Sequence, residues 1–137
     1  MAFWLFKEEP THYNFAQLQE EGRTVWDGVS NALARQHLRN VRRGDRVFCY
    51  HTGKEKAIVG VMRAVSDARI DPNADDPKEV LVDVEAVKLL PHPVSLARIK
   101  GDPQLADWDL VRLPRLSVMP VTEAQWRRVE ELGANQG

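Results

Sequence analysis

Apolar residues follow two rhythms along this chain, and the switch between them sets out most of its elements. Phe3-Trp4-Leu5-Phe6 is a short continuous apolar run closed by Lys7-Glu8-Glu9-Pro10, the pattern of a buried strand ended by a residue that cannot donate to a ladder. A short helix follows, with Asn14 as cap, Gln17 as the reaching partner of a capping box, Phe15, Leu18 and Ala16 facing inward, and Gly22 as the stop. Residues 24–26 read as a short strand, and residues 30–41 as a helix with Leu33, His37, Leu38 and Val41 on one side and Asn31, Arg35, Arg39 and Arg42 on another.

The second half is richer in strands. Gly44-Asp45 turns the chain into Arg46-Val47-Phe48-Cys49-Tyr50-His51, whose alternation separates Val47, Cys49 and His51 from Phe48 and Tyr50. Residues 57–65 form a long strand with Gly60 as a bulge or close-approach position, and 71–79 are a polar loop. A half-exposed strand over 80–87 is expected to be broken by Pro91 and Pro93. Ser95 and Asp102 each open a short helical turn, 115–121 is a late strand, and Thr122 begins a final amphipathic helix carrying Trp126, Val129 and Leu132. Many strands and few helices, joined by short loops, predict an α+β fold: a small curled sheet or barrel decorated by helices, in one domain over residues 1–137.

Composition narrows the class without naming a function. A hydrophobic fraction of 43% and a charged fraction of 28% are ordinary for a globular protein. No apolar run approaches the ~18 residues of a membrane span, so no membrane partner is expected. The first residues read as a strand rather than a signal peptide, and the lone Cys49 points to a reducing, cytoplasmic setting. Net charge is -1, which argues against nonspecific phosphate attraction as the main mode of binding. Charge is nevertheless uneven: residues 1–63 carry ten Lys/Arg against seven Asp/Glu, and Arg35, Arg39, Arg42, Arg43 and Arg46 crowd together with only Asp45 opposing them. That stretch is either a solvated helix face or a phosphate-holding one.

Several chemistries lack their residues. Cys49 and His51 share a strand face without a second ligand pair, so no metal site is expected; Thr52-Gly53-Lys54-Glu55 lacks the glycine and hydroxyl of a phosphate loop; no nucleophile elbow is present. An acid/base pair of a Glu8 or Glu9 carboxylate with His51 is conceivable, but Glu9 suits recognition of a base amino group better. The densest signal is Trp26-Asp27-Gly28-Val29-Ser30-Asn31: an aromatic plate, a turn and a capping Ser30 or Asn31. Alone it reads first as a core tryptophan before a turn, and second as the wall of a site for a flat, polar ligand.

Trp4-Leu5-Phe6-Lys7-Glu8-Glu9-Pro10, Trp26-Asp27-Gly28-Val29-Ser30-Asn31, Ala34-Arg35, Tyr50-His51-Thr52, Ile58-Val59-Gly60-Val61, Asp71-Pro72 and Arg115-Leu116-Ser117-Val118 together resemble the EVE domain family, in order and over nearly the whole chain. The resemblance implies a PUA-like fold, a mixed barrel-like sheet ringed by helices and related to the YTH and ASCH domains. It implies nucleic-acid reading, with a modified base of DNA or RNA taken from its stack into an aromatic-walled pocket. On this chain Trp26 and Tyr50 would be the stacking pair, and Lys7, Glu9, Ser30, Asn31, Arg35, His51, Thr52 and Ser117 would touch the base or its phosphate. Arg39, Arg42 and Arg43 would hold flanking phosphates, and no cofactor or catalytic residue is implied. The chain departs from the family's Lys-Ser-Glu-Pro at Glu8, which adds negative charge at the pocket if it faces inward. A sensor of a free nucleotide or small heterocycle, and a ribonuclease-like or base-processing enzyme, are the alternatives.

Overall fold

The computed structural model describes residues 1–76 and 78–134, built around one mixed sheet. In chain order the elements are β1 (Phe3–Glu8), α1 (Phe15–Glu21), β2 (Arg23–Trp26), α2 (Ala32–Arg39), β3 (Arg46–His51), β4 (Ala57–Ala64), β5 (Arg69–Ile70), β6 (Val80–Ser95), α3 (Leu96–Lys100), α4 (Asp109–Arg112), β7 (Val118–Val121) and α5 (Glu123–Ala134). The strands run in the order β2-β6-β4-β3-β1-β7, with β5 added to β6. β1 and β3 are parallel and the other pairs antiparallel. The end strands β2 and β7 do not pair, so the fold is α+β with a curled, open sheet and helices around it, and the barrel is not closed. Curling brings the Phe6 ring of β1 to 5.4 Å from the Trp26 ring of β2, although the two strands are far apart in the sheet.

Both faces of the central strands are covered. Trp126 of α5 stacks on Phe48 at 3.7 Å between centroids and meets Phe3 at 4.9 Å, sealing one face. On the other, Phe15 of α1 lies so close to Gly60 that a Cβ there would stand 2.6 Å from its ring. Gly60 therefore serves close approach beside a shift in β3–β4 register. The capping box of α1 forms as expected: Gln17 N–H donates to Asn14 Oδ1 at 2.8 Å and Asn14 N–H to Gln17 Oε1 at 2.9 Å. Phe15 and Leu18 are buried, whereas Ala16 is exposed.

Several expectations change. α2 starts at Ala32, with Asn31 rather than Ser30 as cap, its Oδ1 accepting from Ala34 N–H at 2.9 Å. Its buried face is Ala34 and Leu38, continued by Val41, so Leu33 turns outward and is 40% exposed. β6 runs through Pro91 and Pro93 to Ser95, because residues 90–93 stand against Val59 alone in an irregular stretch of the β4 ladder where a missing donor costs little. β7 begins at Val118, and the residues before it form a turn held by β1.

Asp45, read from the sequence only as part of a turn, is a buried clamp. Its carboxylate accepts from Ala2 N–H at 3.0 Å, Trp4 Nε1–H at 2.9 Å and Arg42 N–H at 2.9 Å, fixing the start of β1 beside the end of α2.

Candidate functional site

Sheet topology gathers four segments at one end of the molecule. Because β1 and β3 are parallel, Lys7 and Glu8 emerge beside Tyr50 and His51, and Thr52 N–H donates to Glu8 O at 3.0 Å. β7 runs antiparallel to β1, which brings the turn before it to the same end, where Lys7 N–H donates to Ser117 O at 2.9 Å. β2 ends there at Trp26, and Gly28, with φ of 70°, turns the chain toward α2.

The pleat of β1 divides this end into two unlike surfaces. Glu8 shares the face of Phe6 and Trp26 and lines a cavity of about 210 Å³ with His12, Tyr13, Thr24, Val25, Trp26 and Asp27. Glu8 therefore faces inward. Its Oε1 accepts from Glu9 N–H at 2.9 Å and lies 3.2 Å from His12 Nδ1. Trp26 is buried against Phe6, and neither its indole N–H nor the Asp27 carboxylate has a partner among the described residues. Tyr13 donates to Glu21 at 3.2 Å, and burial raises its pKa, keeping the phenol protonated.

Lys7 takes the opposite face. Its Nζ donates to Pro114 O at 3.0 Å and sits 5.4 Å from the centroid of Tyr50. Burial lowers the Lys7 pKa and raises that of Tyr50. Beside this contact lies a groove of about 300 Å³ formed by Asn31, Leu33, Arg112, Leu113, Pro114, Arg115 and Leu116. Among the described residues no carboxylate lines it. Trp26 and Tyr50, paired in the sequence expectation, thus occupy opposite faces of the sheet and do not form facing walls of one slot.

Other expected site residues are engaged within the protein. His51 Nε2 accepts from Phe15 N–H at 3.1 Å, which leaves Nδ1 as the protonated nitrogen, 2.7 Å from Glu55 Oε1; the ring secures the start of α1. Arg35 is half-buried and fully committed, donating to Val29 O at 2.7 Å, Asp76 at 3.0 Å and Glu79 at 2.8 Å. It fixes the 26–31 turn to Asp76 and Glu79, ahead of β6. Thr52 Oγ1 donates to Glu9 Oε2 at 3.1 Å, and the carboxylate closes over Gly53, so Glu9 and Thr52 form their own exposed pair. Arg42 donates to Arg39 O at 3.0 Å and Val41 O at 3.2 Å at the end of α2. Arg39 reaches Lys78 O at 3.5 Å, while Arg43 and Ser30 are exposed. Arg112 and Arg115 form the basic lip of the groove; neither is an expected site residue from sequence, although Arg115 opens the Arg115-Leu116-Ser117-Val118 segment that carries part of the family resemblance.

Among the described residues no helix is long and apolar enough to cross a membrane. The chain is thus an α+β protein whose open mixed sheet carries a small polar cavity and a cationic groove on either side of one turn. The chain belongs to the EVE domain family, whose family model matches residues 2–132. It is 30% identical to human thymocyte nuclear protein 1 over an alignment covering 91% of this chain and 71% of that protein. A Rhodopseudomonas palustris protein solved by NMR is 41% identical with a TM-score of 0.92, covering 97% of this chain and 93% of that one. A crystal structure of human THYN1 in complex with 5-methylcytosine-containing DNA is 29% identical with a TM-score of 0.89, covering 100% of both chains.

Proposed function

We propose that residues 1–137 are one domain that binds a modified nucleobase, of the 5-methylcytosine kind, in DNA, and that the base enters the cavity beside Trp26. What carries this is the likeness over the full chain to a human protein crystallised with DNA containing 5-methylcytosine. The cavity has the complementary chemistry. The edge of the buried Trp26 ring offers an unpaired indole N–H, while Glu8 and Asp27 offer carboxylate oxygens. A cytosine edge presents an amino donor beside a ring-nitrogen acceptor, so carboxylate plus N–H matches it and mismatches thymine. Extrusion of the base costs a few kcal/mol, which edge hydrogen bonds to a carboxylate, at about 1.5–3 kcal/mol each, offset. The cytoplasmic setting expected from Cys49, a buried free thiol, accompanies this function.

Calorimetric titration with oligonucleotides carrying one 5-methylcytosine, cytosine or thymine at the same position tests it. The methylated strand should bind tightest; equal heats for all three would contradict the proposal. The net charge of -1 favours one second reading, a sensor of free nucleosides. In that case 5-methylcytidine alone would bind as tightly as the oligonucleotide.

A further inference from the structure

We propose that the groove between the start of α2 and residues 112–116 holds the nucleotide flanking the base read at Trp26, with its phosphate on Arg115 and its base against Leu33 and Leu113. This rests on the base-reading function above and extends it to the neighbouring position in the strand. Charge makes the first part of the case. Glu8 and Asp27 make the base cavity hostile to a phosphate, so the strand has to leave it toward positive charge. Of the arginines expected for that task from sequence, Arg35 is held by two carboxylates and a carbonyl and Arg42 by two carbonyls, while Arg39 and Arg43 are exposed but stand at or beyond the end of α2 opposite the one that lines the groove. Arg115 has no hydrogen-bond or ion-pair partner among the described residues, and Arg112 has only a loose 3.8 Å contact with Asp109. Both line the groove, and no carboxylate does.

Shape and position make the second part. Leu33 and Leu113 are 40% and 37% exposed, which leaves an apolar surface above the buried Leu116, suited to the face of a base. The same 26–31 turn borders both sites, since Trp26 and Asp27 line the cavity and Asn31 lines the groove. Consecutive β1 residues do likewise: Glu8 enters the cavity, and Lys7 ties Pro114 of the groove to the sheet. The groove wall is thereby held in place before any strand arrives, which lowers the ordering cost of binding.

The test compares 5-methylcytidine, a single-stranded DNA trinucleotide with a central 5-methylcytosine, and the same trinucleotide with abasic flanks. They are titrated into the full chain and into Arg115→Gln, Leu113→Ser and Arg43→Gln, all substitutions of exposed side chains. The trinucleotide should bind about tenfold or more tighter than the nucleoside, as a charge-assisted phosphate contact provides. Arg115→Gln should remove most of that gain, reduce the salt slope by about 0.7 and leave nucleoside affinity unchanged. Leu113→Ser should erase the advantage of intact over abasic flanks, and Arg43→Gln should change nothing. Trinucleotide binding undiminished by Arg115→Gln overturns the inference and leaves base reading intact. Failure of both nucleoside and trinucleotide to bind overturns base reading and the groove with it. Self-association of the free chain that Leu113→Ser abolishes overturns the inference by giving the groove to a second copy.

Discussion

The cavity at Trp26 and the groove at Leu33 share one turn and one strand yet differ in every property that selects a ligand. The cavity is smaller, polar and negative, with Glu8 and Asp27 beside an aromatic ring. The groove is larger, apolar and positive, with Arg112 and Arg115 at its lip. Only the alternation of β1 separates them, because adjacent residues Lys7 and Glu8 point to opposite faces. A nucleotide has the same division, with a neutral hydrogen-bonding edge and an anionic backbone. Two neighbouring surfaces of opposite character are therefore better matched to a short stretch of strand than either is alone.

The largest perturbation is Trp26→Ala. It removes a buried ring packed on Phe6, so thermal or urea unfolding should report a loss of about 3–5 kcal/mol, and base binding should vanish with it. An unaltered melting curve would mean that the ring does not join β2 to β1. Glu8→Gln is milder and acts on the cavity alone. Its amide adds a donor where the carboxylate only accepts, so discrimination of cytosine from thymine should fall by about 1–3 kcal/mol. Arg115→Gln should leave that discrimination unchanged while weakening both oligonucleotides together. If the two substitutions had the same effect, the division of labour between the surfaces would be wrong.

Lys7 sits on the boundary, and its effect is read through pH. Burial depresses its pKa below the ordinary 10.5, so the charged form is disfavoured in the folded protein. As pH rises through the lowered folded value toward 10.5, the unfolded chain holds more protons than the native one, and wild-type stability rises. Relative to Lys7→Met, the wild type should therefore gain stability with pH across that alkaline window. A difference that stays flat would contradict the burial of the ammonium over Tyr50.

The smallest effect is a labelling rate. Cys49 is buried on the cavity side of β3, and burial, aided by Glu8 and Glu55, pushes its thiol up to about 12, so a thiol reagent near neutral pH should react slowly with the native protein. Trp26→Ala should speed the reaction by loosening the cavity wall, and Arg115→Gln should not. Equal rates in the two variants would show that the cavity and the groove open together.

Local chemistry was the legible part of this molecule. The capping box of α1, the Asp27-Gly28 turn and the apolar face of α5 are written within a few consecutive residues, and the structure reproduces them. Features that depend on distant partners were not legible in the same way. The run of β6 through Pro91 and Pro93 depends on an irregularity in its pairing with β4, and β5 exists only by pairing with β6. The site divides along the same line. Trp26 ends β2 and Asn31 caps α2, local roles their motif offered, but His51 is drawn to Phe15 and Arg35 to Asp76 and Glu79, partners 36 to 44 residues away. The inward aim of Glu8 follows from the strand's alternation only once the curl of the sheet decides which face holds the cavity.

Amide and indole chemical-shift mapping tests the central claim most directly. A single-stranded oligonucleotide with one 5-methylcytosine would be titrated into uniformly ¹⁵N-labelled protein, with the Trp26 indole N–H as the principal reporter. The account predicts the largest shifts at that indole and at Glu8, Tyr13, Thr24 and Asp27, with a second set at Asn31, Leu33 and Arg115. Shifts confined to the Arg39, Arg42 and Arg43 region, with the Trp26 indole unmoved, would contradict it.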